Sequence, residues 1–270
     1  MDYSTLTLNV DGHVAHVALN RPDKANSLNE AMWQELQAAL EWCDAEPQVR
    51  AVVLSGNGKH FCAGIDLTML MGMQQAVDDS CEARKREKLR RLILRLQGSV
   101  NSLEQCRKPV IAAIHGACVG GALDIVLAAD IRIAAANAVF SVREVAVGMV
   151  ADVGTLQRLA RVVGEGHARE MALTARDLPA AEAERMHLVN RVQPDAESAL
   201  ADALATAAQI AAMSPLAVRG TKEILNYSRD HSVADSLNYV ATWNAAMLLS
   251  DDIQQAVMAA VSGGKATFRD

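Results

Sequence analysis

Two carboxylates stand in an otherwise mostly apolar stretch, SVREVAVGMVADVGTLQRL, at residues 141–159. They are Glu144 and Asp152. Burying a carboxylate is costly unless the group is paired, hydrogen-bonded or held neutral. The stretch therefore contains either structural ion pairs or acids that move protons, and acids with perturbed pKa values are suited to general acid–base catalysis.

Two glycine-containing turns offer a second kind of chemistry. They are FCAGIDL at residues 61–67 and HGACVGGALD at residues 115–124, and each is predicted to lead from a buried strand into a helix. Unpaired N–H groups at two such helix starts can converge on one oxygen and stabilise negative charge there. The glycines can equally serve only the geometry of the turns. Asp124 follows Gly121 by one helical turn, which predicts a position near that N–H or a simple capping role.

The segments that must position these residues alternate between strand and helix. Strands are predicted at residues 13–20, 50–56 and 108–116, followed by short strands over IRIAAA and AVFSVRE, the second of which includes Glu144. A capping box at Ser27 and Glu30 predicts the start of a helix, and apolar spacing predicts a long helix over residues 82–105. This order indicates an α/β fold, and its irregular lengths favour a spiral of ββα units.

From about residue 165 onward the sequence is predicted to be helical. Ser232 and Asp235 form a second capping box before a helix that carries apolar residues such as Leu237 and Trp243. This apolar surface exceeds what one small subdomain needs, which predicts packing on the core or on another subunit. We therefore expect a core at residues 1–200 and a C-terminal helical oligomerisation region at residues 201–270.

Composition excludes several classes of function. The chain has 270 residues, a net charge of -6 and 51% hydrophobic residues, and its sequence has no dense basic run of the kind that binds nucleic acid. No apolar run is long enough to span a membrane. The five cysteines lack the spacing of a zinc site or a disulfide framework, which predicts a reducing compartment. No targeting segment is recognised, so we expect a cytoplasmic protein that binds neither membrane nor nucleic acid.

Taken together, these motifs resemble the enoyl-CoA hydratase/isomerase (crotonase) superfamily. The general resemblance lies in LNRPDKANSLN, FCAGIDL, KPVIAAIHGACVGGALD and GTLQRL. A more specific resemblance to the dienoyl-CoA isomerases of that superfamily lies in SVREVAVGMVADVGTLQRL and in NYSRDHSVADSLNYVATWN. Nearly the whole chain is covered. The resemblance implies a crotonase-like spiral and a homo-oligomer built from trimers, either a trimer or a dimer of trimers.

The resemblance also implies the site. The N–H groups of Ile65 and Gly121 would form an oxyanion hole for a thioester oxygen. Asp124, Glu144 and Asp152 would be the catalytic acids, with Asp152 at a position where hydratases commonly have glycine. Ala122 departs from the family pattern, which commonly has a third glycine there. Residues implied to bind the acyl-CoA substrate are Lys24, Ala25, Asn26, Leu28, Ala63, Gly64, Ile65, Asp66, Leu67 and Gly121.

The implied activity is the isomerisation of 3,5-dienoyl-CoA to 2,4-dienoyl-CoA in fatty acid β-oxidation, with no metal and no cofactor apart from the CoA of the substrate. Glu144 is expected to remove a proton at C2, Asp152 to return one at C6, and Asp124 to support them. Two alternatives stay open. An enoyl-CoA hydratase would add water by using Asp124 and Glu144, and a non-catalytic member would only bind acyl-CoA.

Overall fold

The computed structural model describes residues 2–269, and nine strands in that range form two sheets. The first sheet has the order β1-β2-β3-β4-β6-β9 and the second the order β5-β7-β8. Only β1–β2 and β7–β8 pair antiparallel. The strands are β1 (Leu6–Asp11), β2 (Val14–Leu19), β3 (Ala51–Gly56), β4 (Val110–Ile114), β5 (Ala117–Val119), β6 (Ile131–Ala135), β7 (Val139–Ser141), β8 (Leu178–Pro179) and β9 (Arg191–Gln193).

Helices connect the strands and cover the first sheet, as the predicted α/β class requires. Within residues 2–269 there are eleven α-helices, and short 3-10 helices lie at Pro22–Lys24 and Glu144–Val147. The α-helices are α1 (Glu30–Ala45), α2 (Leu67–Ala76), α3 (Glu82–Gln105), α4 (Gly121–Leu127), α5 (Thr155–Val163), α6 (Glu165–Thr174), α7 (Ala180–Arg185), α8 (Ala196–Ala211), α9 (Pro215–Ser228), α10 (Val233–Met247) and α11 (Asp251–Ser262).

The central strands β3 and β4 are buried on both faces of the first sheet, which explains why they consist mostly of small and β-branched residues. The main core lies on one face and includes α1, the C-terminal half of α3 and α4. A smaller core lies on the other face, where alanines of α8 such as Ala203 and Ala207 pack against Val53 and Ile111. The boundary expected between residues 200 and 201 falls inside α8.

Several predicted elements are confirmed. α3 occupies residues 82–105, as its apolar spacing predicts. Ser232 caps α10 by accepting a hydrogen bond from the N–H of Asp235. No single helix of residues 2–269 is long and apolar enough to cross a membrane, and only the bent pair α8 and α9 reaches the required length and composition when taken together.

Two local predictions are wrong. The N-cap of α1 is Asn29, whose side chain accepts from the N–H of Met32, because the chain stays extended at Leu28 where it pairs with Ile65. Ser27 therefore lies outside the helix. Glu144 is also not on a strand, since β7 ends at Ser141 and Glu144 begins a 3-10 helix.

Candidate functional site

The two glycine-containing turns lie against each other at the ends of buried strands. Cys62 and Cys118 pair as a parallel bridge, and the N–H of Val119 donates to the Cys62 carbonyl over 3.3 Å. On the other side, the N–H of Leu28 donates to the Gly64 carbonyl over 2.8 Å. The turn at residues 62–65 is thus held between two backbone segments that are distant in sequence.

Gly64 is the point of closest approach between the turns. Its φ is +83°, and a Cβ at this position would lie 2.7 Å from the Val119 carbonyl oxygen and 3.5 Å from the Gly121 nitrogen. Neither the Ile65 N–H nor the Gly121 N–H donates to an acceptor within residues 2–269. Ala122 is fully buried in α4 and leaves the Gly121 N–H unengaged. Two free donors therefore stand in neighbouring turns.

Both donors line one cavity of about 460 Å³, called here the apolar cavity. Its wall is mostly hydrophobic and comes from α2, the middle of α3 and the segment 147–153. The apolar residues that contribute from the helices include Trp33, Leu70, Met73, Leu92, Ile93 and Leu96. Such a cavity with few polar groups is typical of a small-molecule site.

Glu144 and Asp152 also line the apolar cavity. A Cβ at Gly120 would lie 3.6 Å from Glu144 Oε1, so this carboxylate is next to the turn that presents the Gly121 N–H. Glu144 Oε2 is buried and has no hydrogen-bond partner among the described residues. An unpartnered buried carboxylate oxygen is costly to the fold, and a ligand can supply the missing contact.

The surroundings of these acids favour their protonated forms. Burial raises the pKa of Glu144, and the charge of Asp152 raises it further. Burial also raises the pKa of Asp152. Val153 lines the apolar cavity beside both carboxyls, whereas Val150 is 73% exposed and is absent from the cavity wall. Two neighbouring carboxyls with raised pKa values titrate as a coupled pair, which suits them to proton transfer.

Asp124 lies behind the apolar cavity and is fully buried. Its carboxylate accepts a hydrogen bond from the N–H of Thr155, at the start of α5. Burial and the charge of Glu144 raise the pKa of Asp124 to about 7, against the opposing effect of the Thr155 hydrogen bond. Asp124 is thus coupled to the cavity through Glu144.

The stability of the fold should depend on pH through Asp124. The unfolded chain, in which this group has a pKa of 3.8, loses the proton near pH 4, whereas the folded chain keeps it up to about pH 7. The unfolding free energy should therefore fall as pH rises through this window. Each pKa unit corresponds to about 1.4 kcal/mol, so the loss is on the order of 4 kcal/mol.

Urea unfolding of the wild type and of Asp124→Asn at a series of pH values checks this expectation. The asparagine keeps an oxygen for the Thr155 N–H and cannot titrate, so the fall with pH should be smaller than in the wild type by the Asp124 contribution. Asp11→Asn, at an exposed position, is the control. If wild type and Asp124→Asn run parallel between pH 4 and pH 7, Asp124 does not carry the dependence.

The structure divides the residues predicted to bind acyl-CoA into two sets. Ala63, Gly64, Ile65, Leu67 and Gly121 line the apolar cavity. The others lie outside its wall, and these are Lys24, Ala25, Asn26, Leu28 and Asp66.

The second set includes residues with structural contacts. Asn26 has no exposed surface, and its amide donates to the carbonyls of Asn57 and His60. Leu28 is also fully buried. Asp66 caps α2 and pairs with Arg21 over 3.1 Å. These side chains therefore hold the 24–28 and 63–67 segments in place.

Sequence reasoning missed part of the cavity wall. Leu92 and Leu96 belong to the apolar spacing that predicts α3, but a helical period does not distinguish a core from a cavity. No pattern in the sequence indicated that Trp33 lines the cavity. Among the described residues, no group of three or more His, Cys, Asp or Glu side chains could hold a metal ion.

This fold, with two free N–H groups and carboxyls around an apolar cavity, agrees with the similarity to known proteins. A family model described as enoyl-CoA hydratase/isomerase matches residues 9–270. The chain belongs to the enoyl-CoA hydratase/isomerase family. An enoyl-CoA hydratase structure from Bacillus anthracis superposes with a TM-score of 0.90 at 30% identity, covering 98% of this chain and 99% of that one. The expected crotonase-like fold is thereby confirmed.

More similar in sequence are two relatives named Delta(3,5)-Delta(2,4)-dienoyl-CoA isomerase. The peroxisomal protein of Arabidopsis thaliana is 46% identical over 98% of this chain and 97% of its own length. The mitochondrial protein of Homo sapiens is 50% identical over 92% of this chain and 76% of its own length. The predicted similarity to dienoyl-CoA isomerases is confirmed.

The expectation of a cytoplasmic protein is wrong. These relatives are named peroxisomal and mitochondrial. A compartment is chosen by address segments that receptors read, and core composition and cysteine spacing do not encode it.

Proposed function

We propose that this chain isomerises 3,5-dienoyl-CoA to 2,4-dienoyl-CoA in fatty acid β-oxidation. The observation that carries the proposal is that Asp152 lines the same apolar cavity as Glu144, Ile65 and Gly121. The identity of 46–50% to relatives named as dienoyl-CoA isomerases supports it. The substrate is an acyl-CoA thioester, and the reaction as written needs neither a metal nor a redox cofactor.

The first step is removal of a proton from C2 by the Glu144 carboxylate. The electron pair of the C–H bond forms the C1=C2 double bond, and the thioester oxygen becomes negatively charged. The N–H groups of Ile65 and Gly121, which lack other acceptors among the described residues, would bind that oxygen. Each such donor contributes a few kcal/mol to the stability of the oxyanion, which is why the donors must be preorganised.

The second step is protonation of C6 by Asp152. The extended enolate carries negative charge from the oxygen to C6, so protonation there leaves double bonds at C2 and C4. One acid cannot easily reach both ends of this system, whereas two acids in one cavity can. Each turnover leaves a proton on Glu144 and removes one from Asp152. Before the next turnover a proton must pass from Glu144 to Asp152, either directly or through solvent.

Asp124 would tune this exchange without touching the substrate. It is fully buried, it is absent from the cavity wall, and its pKa of about 7 depends on the charge of Glu144. A protonated Asp124 is compatible with an ionised Glu144, which is the form that a base requires. Asp124 therefore supports the protonation state of Glu144.

The CoA part would lie along the segments 24–28 and 63–67. Ala63, Gly64 and Leu67 line the cavity directly. Lys24 lies outside the cavity wall, and its side chain is exposed. The N–H of Ala63 donates to the Ala25 carbonyl over 2.9 Å, which joins the two segments.

Substitution of Gly64 by alanine tests the oxyanion hole. The new methyl group would collide with the Val119 carbonyl and displace the turns that present both N–H groups. We expect kcat to fall by about 100-fold to 1000-fold, the usual effect of losing one oxyanion donor. Gly12→Ala is the matched control, because Gly12 also has a positive φ but has nothing within 4 Å of a new Cβ. An active, folded Gly64→Ala variant would contradict the assignment.

Spectroscopy separates the proposal from its enzyme alternative. The isomerase gains absorbance on 3,5-dienoyl-CoA because the product is conjugated, whereas a hydratase loses absorbance on 2-enoyl-CoA. Tight binding of CoA esters in calorimetry, without turnover of either substrate, would indicate a non-catalytic acyl-CoA-binding protein. The net charge of -6 argues against RNA as a partner of such a protein.

We also propose a homo-oligomer, either a trimer or a dimer of trimers, in which residues 201–270 form the interface. Exposed apolar side chains are concentrated on α10 and α11, which favours burial against another subunit. The most exposed from the start of α10 onward are Val233, Leu237, Leu249, Met258 and Val261. Light scattering should give three or six times the mass of the chain. A monomer at micromolar concentration would contradict this.

A further inference from the structure

The segment 152–154 separates the apolar cavity from a second cavity. The second one, called here the polar cavity, has a volume of about 440 Å³ and lies between α3, α5 and the end of α9. Asp152 and Val153 line both cavities. The backbone of Asp152 is therefore not supported by a continuous core, and its position depends on the contacts that this thin segment makes.

Gln97 makes one of these contacts from the middle of α3. Its side-chain Nε2 donates to the Asp152 carbonyl oxygen over 2.6 Å. Gln97 lines the polar cavity, while its neighbour Leu96 lines the apolar cavity. The hydrogen bond thus ties the residue that carries the acid to the helix that forms the cavity wall.

Arg158 supports the same segment from α5. A Cβ at Gly154 would collide with Arg158 Nη1, so the guanidinium packs directly on the Gly154 backbone. Arg158 in turn donates to the two carboxylate oxygens of Glu104 on α3, over 3.0 Å and 2.7 Å. Bidentate pairs of this kind have a fixed geometry. Gln97 and the Arg158–Glu104 pair therefore attach both ends of the segment 152–154 to α3.

We propose that Gln97 is a positioning residue that sets the Asp152 carboxyl against C6 of the substrate. This inference rests on the proposed function. A hydrogen bond to the carbonyl of the acid's own residue fixes the backbone from which its side chain projects. A displacement of about 1 Å in a reacting group can cost up to about 100-fold in rate. Arg158 maintains the fold of the segment, and Gln97 maintains the placement of the acid within it.

The test compares Gln97→Met with Gln157→Met in D₂O. Methionine has a similar length and cannot donate a hydrogen bond. Gln157 is the matched control, because it lines the same polar cavity, is exposed, and has no side-chain hydrogen bond to the described residues. Mass spectrometry and NMR of the recovered substrate and of the product measure deuterium at C2 and C6 separately.

For Gln97→Met, we expect kcat and deuterium delivery to C6 to fall by about tenfold, within the range for a misplaced group. C2 exchange and KM should stay within about twofold, because Glu144 and the cavity wall are unchanged. Gln157→Met should behave as the wild type. Equal behaviour of the two variants, or an equal fall at C2 and C6, would overturn the inference. Failure of the wild type to isomerise would instead overturn the proposed function.

A second variant covers the case in which Gln97→Met does not fold. Gln97→Glu keeps the size and polarity of the side chain, but an ionised carboxylate cannot donate to the Asp152 carbonyl. We expect C6 delivery to be impaired at about pH 8 and to recover towards the wild-type value at about pH 5, where the carboxyl can be protonated. Wild-type C6 delivery by Gln97→Glu at pH 8 would overturn the inference.

Discussion

Asp152→Asn should lower isomerase turnover by about 100-fold to 10,000-fold, the range for loss of a general acid. The asparagine fits the same space but cannot give a proton to C6. The enolate should still form, because Glu144, Ile65 and Gly121 are unchanged. In D₂O, C2 of the recovered substrate should therefore keep exchanging while deuterium delivery to C6 is lost. NMR of substrate and product measures both.

Asp11→Asn is a suitable control for this variant, because Asp11 is exposed at the end of β1. It should leave both exchanges unchanged. The assignment of Asp152 as the acid at C6 would be wrong if Asp152→Asn alone lost both exchanges. Asp152 would then act in the removal of the C2 proton.

Glu144→Gln should have an effect of similar size with a different isotopic pattern. Without a base at C2 the enolate does not form, so exchange at C2 and delivery to C6 should both fall by about 100-fold to 10,000-fold. The unpartnered Glu144 Oε2 becomes part of an uncharged amide, which should not destabilise the fold. Thermal unfolding should therefore show a midpoint no lower than that of the wild type.

The matched control for Glu144→Gln is Glu197→Gln, at an exposed position in the first turn of α8. It should keep full activity. Persistent C2 exchange in Glu144→Gln would show that another group removes the C2 proton. The double variant of Glu144 and Asp152 should be little worse than Glu144→Gln, because residues that act in sequence on one intermediate are not additive.

Local features of the site could be predicted where short-range chemistry decides them. The apolar spacing of α3 gave its bounds, and Ser232 gave the start of α10, because both signals lie within a few residues. The glycine turns at residues 61–67 and 115–124 were identified because a strand that leads into a helix needs particular backbone angles. The family resemblance added the prediction that the N–H groups of Ile65 and Gly121 form one oxyanion hole.

Predictions failed where a distant segment competes with a local signal. Ser27 has the sequence of an N-cap, but pairing of Leu28 with Ile65 keeps the chain extended there and moves the cap to Asn29. The hydrogen bond that Asp124 accepts from Thr155 was not predicted, because Thr155 is 31 residues away in sequence. Alternation predicted a strand through Glu144, but that strand ends at Ser141.

The sequence by itself determined which residue types are present: three acids, two glycine turns and the α/β order that carries them. Only the tertiary structure decided that Glu144 and Asp152 line the apolar cavity while Asp124 lies buried behind it. It also decided that Gln97 holds the backbone of Asp152. The physical reason is that burial, electrostatic coupling and hydrogen bonds between distant segments depend on distances in space, and periodicity along the chain does not specify those distances.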